Sequence, residues 1–242
     1  MVQNSPFGRK LAAFASLSGS DLSAASELYQ HRREFPPGSE LVHRGQTDQP
    51  AYILATGWAA SYTILPNGRR RIVSVQIPGD LVGLRSVLFR TAAHIVEPIT
   101  PVEAREVLPT VLLGAFAKAP RLATAVLMAT SRDEAMYVEH LVGMRRRNPG
   151  ERIAHFLLDL FARLRSVGLS DSSGYDCPLS LALLGDALGL SPAHVNHSLR
   201  ELGKDGLVTF RGGRVAFGDF DKLVRYATFS PARLVQNGPL LH

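Results

Sequence analysis

The sequence predicts an α+β protein built from a glycine-punctuated β-roll of the jelly-roll kind, one long helix and a winged helix-turn-helix. Three observations predict it. Between residues 35 and 108, short strand-like runs alternate with glycines. From residue 120 to about residue 144, side chains suited to a helix–helix seam return at alternating steps of four and three. From residue 178 to residue 217, two short helical runs flank a glycine-containing turn and lead into two strand-like runs. The boundaries that follow are 1–118 for the roll, 119–147 for the helix, 148–226 for the winged helix-turn-helix and 227–242 for a C-terminal tail.

A chain of 242 residues with 45% apolar composition holds two ordinary domains with full cores. Its formal charge of +6, from 27 basic and 21 acidic residues, favours a polyanionic partner without amounting to a basic tail. The single cysteine, Cys177, excludes an intrachain disulfide, a four-cysteine zinc site and an iron–sulfur cluster held by this chain's thiolates alone. No long apolar stretch follows a basic start, and nowhere do about 18 apolar residues run uninterrupted. A cytoplasmic protein with no membrane partner is expected.

Leu11, Phe14, Leu17, Leu22, Ala25 and Leu28 predict small helices within residues 9–34, the second capped by Ser20 or Asp21. Strands are expected at residues 40–43, 51–56, 58–65, 70–77 and 80–82, with Gly45, Gly57, Gly68, Gly79 and Gly83 between or beside them. The clearest hairpin turns at Pro66-Asn67-Gly68. There Trp58, Ala60, Tyr62 and Ile64 alternate on one strand and Val73, Val75 and Ile77 on the other. Arg69, Arg70 and Arg71 read as a solvated strand end. Residues 84–89 form a helical turn, residues 102–108 the last strand, which Pro109 ends, and residues 111–118 a short helix.

The long helix carries two stripes. Ala123, Leu127, Thr130, Glu134, Tyr137, Leu141 and Met144 keep the seam spacing of a coiled coil, and Leu122, Val126, Ala129 and Met136 lie beside them. One stripe packs on the roll and the other on a second copy. The expected interface of a parallel homodimer is therefore Leu127, Thr130, Glu134, Tyr137 and Leu141.

Arg145-Arg146-Arg147-Asn148-Pro149-Gly150 then interrupts the helix as a hinge, and residues 151–164 resume an amphipathic one through Ile153, Phe156, Leu157, Leu160, Phe161 and Leu164. Residues 168–175 are a loop. Leu181, Leu184 and Leu188 form a short helix that ends at Gly189; Ser191 caps a second one, which starts at Pro192 and runs to about Gly203. Val195, Leu199 and Leu202 point inward on it. The outer face then holds Ala193, His194, Asn196, His197, Arg200 and Lys204, a set able to touch base edges and phosphates. Two strand-like runs, residues 207–210 and 214–217, flank Arg211-Gly212-Gly213 as a wing. The candidate DNA-binding set is this face with Ser191, Arg211 and Arg214. Phe220, Leu223 and Val224 suggest a closing helix, and the tail has no assigned element.

This order resembles the bacterial cAMP receptor protein/FNR (Crp/Fnr) family. The residues that carry the resemblance are Leu41-Val42-His43-Arg44-Gly45, Ile77-Pro78-Gly79-Asp80-Leu81-Val82-Gly83, Glu151-Arg152-Ile153-Ala154 and the helix-turn-helix, within about residues 12–226. The resemblance implies a cyclic-nucleotide-binding-like roll, a homodimer, double-stranded DNA as partner and, for an activator, RNA polymerase. In the family a glutamate binds the ribose and an Arg-Ser pair binds the cyclic phosphate; here Leu84 stands for the glutamate and Ala93-His94 for the pair. A buried phosphate needs a cation or several oriented N–H donors. cAMP is therefore not expected, although Arg85 and Arg90 stand nearby as substitutes.

The candidate effector pocket comprises Leu84, Arg85, Ala93, His94, Tyr137 and Val138. Haem or another ligand, with His94, His43 or Cys177 as candidates by residue type, is the alternative, and Cys177 is a candidate redox site just before the helix-turn-helix. No metal site and no catalytic residues are expected. A cupin-like enzyme would need clustered histidines, and the β region offers only His43 and His94. The family's reading helix has Arg, Glu and Arg where Pro192, Ala193 and His197 stand here, which implies a different operator.

Overall fold

The computed structural model describes residues 2–66, 68 and 70–230. Asn67 and Arg69 of the expected hairpin turn, and residues 231–242 of the tail, lie outside the described residues. The contacts divide the described chain into two compact units that meet between Asp133 and Glu134, inside the long helix.

The first unit opens with a 3-10 turn at Val2–Asn4, followed by α1 (Pro6–Ala12) and α2 (Gly19–Glu27). Ser18, rather than Ser20 or Asp21, caps α2: its Oγ accepts from the Asp21 N–H while the Asp21 carboxylate accepts from the Ser18 N–H. The helical reading then fails at residues 31–34. His31–Phe35 is a strand, β1, paired antiparallel to β7 (Val102–Val107) and joined to it by ion pairs from Arg32 to Glu103 and Arg33 to Glu106. A ladder from distant sequence outweighs local pattern here.

Two antiparallel sheets make the roll. One has the order β1, β7, β2 (Ala51–Thr56), β5 (Leu81–Val82); the other has β4 (Arg70–Gln76), β3 (Ala59–Ile64), β6 (Ile95–Pro98). Strand β6 lies in residues 90–101, to which the sequence assigns no element, and its backbone completes β3's open side. The expected strand at residues 40–43 is reduced to one bridge, Val42 to Val96, although Leu41 and Val42 are buried. The β3–β4 ladder shifts register between Ser61 and Tyr62, so strict alternation is lost; Val73 faces solvent and Ile72 is buried.

Strand β2 shows how the unit is held together. Tyr52 and Leu54 point into the roll with Leu41, Val42, Val96 and Ala104. Ala51 and Ile53 point the other way, into a cluster with Phe7 and Leu11 of α1, Leu112 of α4 (Pro109–Lys118), and Leu122 and Val126 of α5 (Pro120–Arg146). The α5 stripe of Leu122, Val126 and Ala129 is thus the buried one. Helix α3 (Leu84–Phe89) is a short link between β5 and β6.

A buried cation sits at this junction. Lys10 Nζ donates to Asp80 at 2.8 Å and to Asp133 at 3.2 Å, while the other Asp80 oxygen accepts from the Ile77 N–H at 2.9 Å. One ammonium joins α1, the Pro78-Gly79-Asp80 turn and α5.

The second unit contains α6 (Pro149–Ser166), β8 (Gly174–Asp176), α7 (Leu181–Leu188), α8 (Pro192–Lys204), β9 (Val208–Arg211), β10 (Arg214–Phe217) and α9 (Phe220–Tyr226). Asn148 and Glu151 form a capping box and Pro149 opens α6, so Gly150 lies inside a helix and the break after α5 is confined to Arg147 and Asn148. Strand β8, read as loop, adds to the wing through β10. Phe161 stands edge-on to Phe217 at 5.0 Å and Phe220 at 5.6 Å, and the buried Tyr175 hydroxyl donates to the Leu157 carbonyl at 2.9 Å.

Asp80→Asn should lower the free energy of unfolding by about 3 kcal/mol, because it strips charge compensation from a buried ammonium. Asp133→Asn should cost under about 1 kcal/mol, its carboxylate being one-third exposed. Urea denaturation of both variants checks the order.

Candidate nucleic-acid interface

The reading head is set by how α7 passes into α8. Gly189 takes a left-handed conformation at the end of α7, and the Gly189 and Leu190 N–H groups both return to the Gly185 carbonyl. A Cβ on Gly185 would meet the Leu190 carbonyl oxygen at 2.6 Å, so only glycine lets the turn close this tightly. Ser191 then caps α8 by accepting from the His194 N–H at 3.2 Å, and its hydroxyl shares a 2.8 Å hydrogen bond with His194 Nδ1. Pro192 occupies the first turn.

Val195, Leu199 and Leu202 are buried, as their spacing requires, and Ser198 is buried with them. Ala193, His194, His197, Arg200 and Lys204 are exposed and Asn196 is half-buried. Lys204 is paired with Glu201 at 2.8 Å, but both ends are exposed, so the pair yields readily to a phosphate.

Beyond α8 the wing turns at Gly212 and Gly213, both at positive φ, the geometry a two-residue hairpin needs. Between wing and helix runs an open groove of about 830 Å³, lined by Asn196, Arg200, Lys204, Thr209 and Arg211 among others. The structure thus brings Asn196, Arg200, Lys204 and Arg211 together along one groove, while Ala193, His194 and His197 lie exposed on α8.

Arg214 is placed differently. Its guanidinium is held by Asp171, by Asp176 at 3.2 Å and by the Ser173 hydroxyl at 3.2 Å. The Ser173 hydroxyl, then Arg214, keeps the Asp171 carboxyl well below the usual range. Arg214 fastens the loop before β8 to the wing through carboxylates that are themselves exposed.

The redox expectation for Cys177 also changes. The thiol is buried, and burial raises its pKa to about 11, so it has neither the access nor the thiolate that oxidation needs.

Among the candidate effector residues, Leu84 is half-buried against the helical cluster, while Arg85, Ala93 and His94 are exposed. Arg85 lies over the Phe89 ring, and Arg90 is bound through two nitrogens to Asp48 at 2.9 and 3.0 Å. His94 is held below its usual pKa by partial loss of water, then by Arg44 and Arg85. Tyr137 and Val138 are exposed and belong to the second unit. The dimer candidates Leu127, Thr130, Glu134, Tyr137 and Leu141 all face solvent, Leu127 at 67% and Leu141 at 58%.

Sequence reasoning missed a group of side chains behind α7. His140 of α5 donates from Nε2 to the Ala187 carbonyl at 3.1 Å, and Arg152 of α6 donates to the Leu188 carbonyl at 3.2 Å. Both carbonyls belong to the last turn of α7, where a helix has no partners of its own. Arg152 also donates to the Arg147 carbonyl, and Arg147 reaches Glu139 at 2.5 Å and the Thr228 hydroxyl at 3.2 Å.

Residues 32–118 match the family described as "Cyclic nucleotide-binding domain" and residues 151–226 that described as "Crp-like helix-turn-helix domain". The chain is similar to the nitrogen fixation regulation protein FixK of Azorhizobium caulinodans, 26% identical over 181 residues, 74% of this chain and 72% of that one. It is 22% identical to the anaerobic regulatory protein of Pasteurella multocida over 209 residues, 86% of this chain and 76% of that one. The solved structure of FixK2 from Bradyrhizobium japonicum superposes with a TM-score of 0.71 at 25% identity, covering 81% of this chain and 96% of that one. A nucleotide-binding-type roll, a long helix and a winged reading head in this order define a helix-turn-helix transcriptional regulator. The chain belongs to the Crp/Fnr family. No single helix among the described residues is long and apolar enough to cross a membrane.

Burial, and secondarily the neighbouring Arg147 and Arg152, lower the His140 pKa below its usual 6.5 against the opposing pull of the Ala187 carbonyl. The unfolded chain therefore binds more protons in the interval below 6.5, and stability falls as pH drops through the folded-state value. His94 acts with the same sign. From pH 7 to pH 5 the urea midpoint of the wild type should drop further than that of His140→Gln; parallel losses would assign the effect to other groups.

Proposed function

We propose that the protein is a homodimeric, sequence-specific regulator that reads a pseudo-palindromic operator from the cytoplasm with two α8 helices, roughly 34 Å apart, in successive major grooves. The observation that carries this reading is the face of α8: its inward stripe is buried, Ala193, His194, His197 and Arg200 are exposed on its outer side, and Asn196, Arg200 and Lys204 line one groove with Arg211 of the wing. Asn196 suits a bidentate pair with adenine, Ala193 a thymine methyl and Arg200 a guanine edge; Lys204 and Arg211 suit phosphates. Pro192 is committed to the start of the helix and Ser191 to its cap, so neither is free for base readout.

The homodimer rests on the second stripe of α5. Leu127, Tyr137, Val138, Leu141 and Val142 are exposed at helical spacing while Leu122 and Val126 are buried, which leaves an apolar seam for a second copy. For activation, RNA polymerase is the further partner.

The roll does not have the family's groups for cAMP. Leu84 and Ala93-His94 supply neither a ribose acceptor nor a fixed phosphate cation, and Arg90 is already bound to Asp48. We assign no enzymatic role.

Selection of binding sites from random DNA by the purified protein should return an inverted repeat. Arg200→Ala should weaken binding to that operator about tenfold or more and relax one base position. If it weakens all sequences alike and lowers the salt slope by about one, Arg200 is a phosphate contact instead. Leu141→Glu should shift the protein to monomer in sedimentation and abolish tight binding to the full repeat. Titration calorimetry with cAMP and cGMP should show no binding in the micromolar range.

A further inference from the structure

We infer that His140, Arg147 and Arg152 are positioning residues that set the half-site spacing the protein accepts, by locking the end of α5 to the back of the reading head. This rests on the reading of the protein as a dimer on a pseudo-palindrome.

The carbonyls of Ala187 and Leu188 set the constraint. Both residues are buried, both lie in the last turn of α7, and the turn into α8 uses its own N–H groups on Gly185 instead. Left alone, the two carbonyls would be buried acceptors without donors, which folded proteins avoid. The donors come from two other helices, His140 of α5 and Arg152 of α6, at 3.1 and 3.2 Å.

Arg152 and its neighbour Arg147 are themselves fixed. Arg152 also donates to the Arg147 carbonyl, so it spans the two-residue break between α5 and α6. Arg147 folds back along α5 to Glu139, and a Cβ on the buried Gly143 would run into its guanidinium, so the glycine opens the path. Its Nε donates to Thr228, beyond α9. Glu139 stands 3.7 Å from the buried His155 of α6. The break at Arg147 and Asn148, which reads as a free hinge in the sequence, is therefore clamped on both sides, and the last turns of α5 move as one body with α7 and α8.

The consequence lies in the operator. A dimer seam on α5 fixes the first half of the distance between the two α8 helices, and the clamp fixes the second. A head free to pivot about Asn148 would accept half-sites at several separations; a clamped one accepts a single separation.

The test measures binding of wild type, His140→Ala, His140→Gln and Arg147→Ala to the selected operator, to versions with one base pair added or removed at the centre, and to one isolated half-site. The wild type should prefer its own spacing by about tenfold or more, and His140→Ala and Arg147→Ala by about threefold or less. Half-site affinity should stay within about twofold in all four proteins, and His140→Gln, whose amide still offers a donor to the Ala187 carbonyl, should keep most of the preference. Unchanged spacing preference in both alanine variants overturns the proposal. So does a loss of half-site affinity that accounts for the whole effect, since the residues would then only support the fold of the head. A wild type that binds one half-site as tightly as the repeat overturns the dimeric reading beneath it, a different and recognisable failure.

Discussion

A helix cannot satisfy its own last carbonyls, and at the end of α7 that limit organises everything around the reading head. The turn into α8 is short because Gly185 and Gly189 allow it, and it draws its two N–H groups back onto a single carbonyl. Ala187 and Leu188 are left for others to satisfy. His140 and Arg152 do so from α5 and α6, which means the long helix also carries a cap for the helix-turn-helix. Neither residue lies on α8, yet both hold the end of the helix that precedes it.

The first unit has an analogous tie in Lys10. Its ammonium collects a carboxylate from the Pro78-Gly79-Asp80 turn and another from α5, so the turn that follows β4 and the middle of the long helix share one buried charge. Apolar packing around Phe7, Leu11 and Leu122 supplies most of the adhesion. Packing alone is non-directional, and a buried ion pair works only in one register. The junction is in this way specified as well as stabilised.

Elements with a strong period were legible in the sequence. The boundaries of β2, α7 and α8 follow from apolar runs, caps and glycines, because those signals are local and physical. Strands β1, β6 and β8 were not legible. His31–Phe35 and Gly174–Asp176 have no apolar alternation and exist because a distant strand offers a ladder. The outer face of α8 could be read by subtraction once Val195, Leu199 and Leu202 were assigned inward. The clamp could not: Glu139, Gly143 and Arg147 do recur at four-residue steps, but a backbone carbonyl on α7 leaves no mark in the sequence.

Arg211 and Arg214 show how far residue type falls short of function. They are directly opposite each other across the wing turn, where like charges repel. The conflict is resolved by the loop before β8, whose Asp171 and Asp176 bind Arg214 and leave Arg211 exposed at the rim of the groove. Two arginines at mirror positions of one hairpin thus differ, one held by carboxylates of a neighbouring loop and one left exposed along the groove. An acidic loop beside the wing is in this way compatible with a cationic groove, since its carboxylates are taken up by Arg214. The net charge of the face is a product of this sorting, and +6 for the whole chain says little about where it falls.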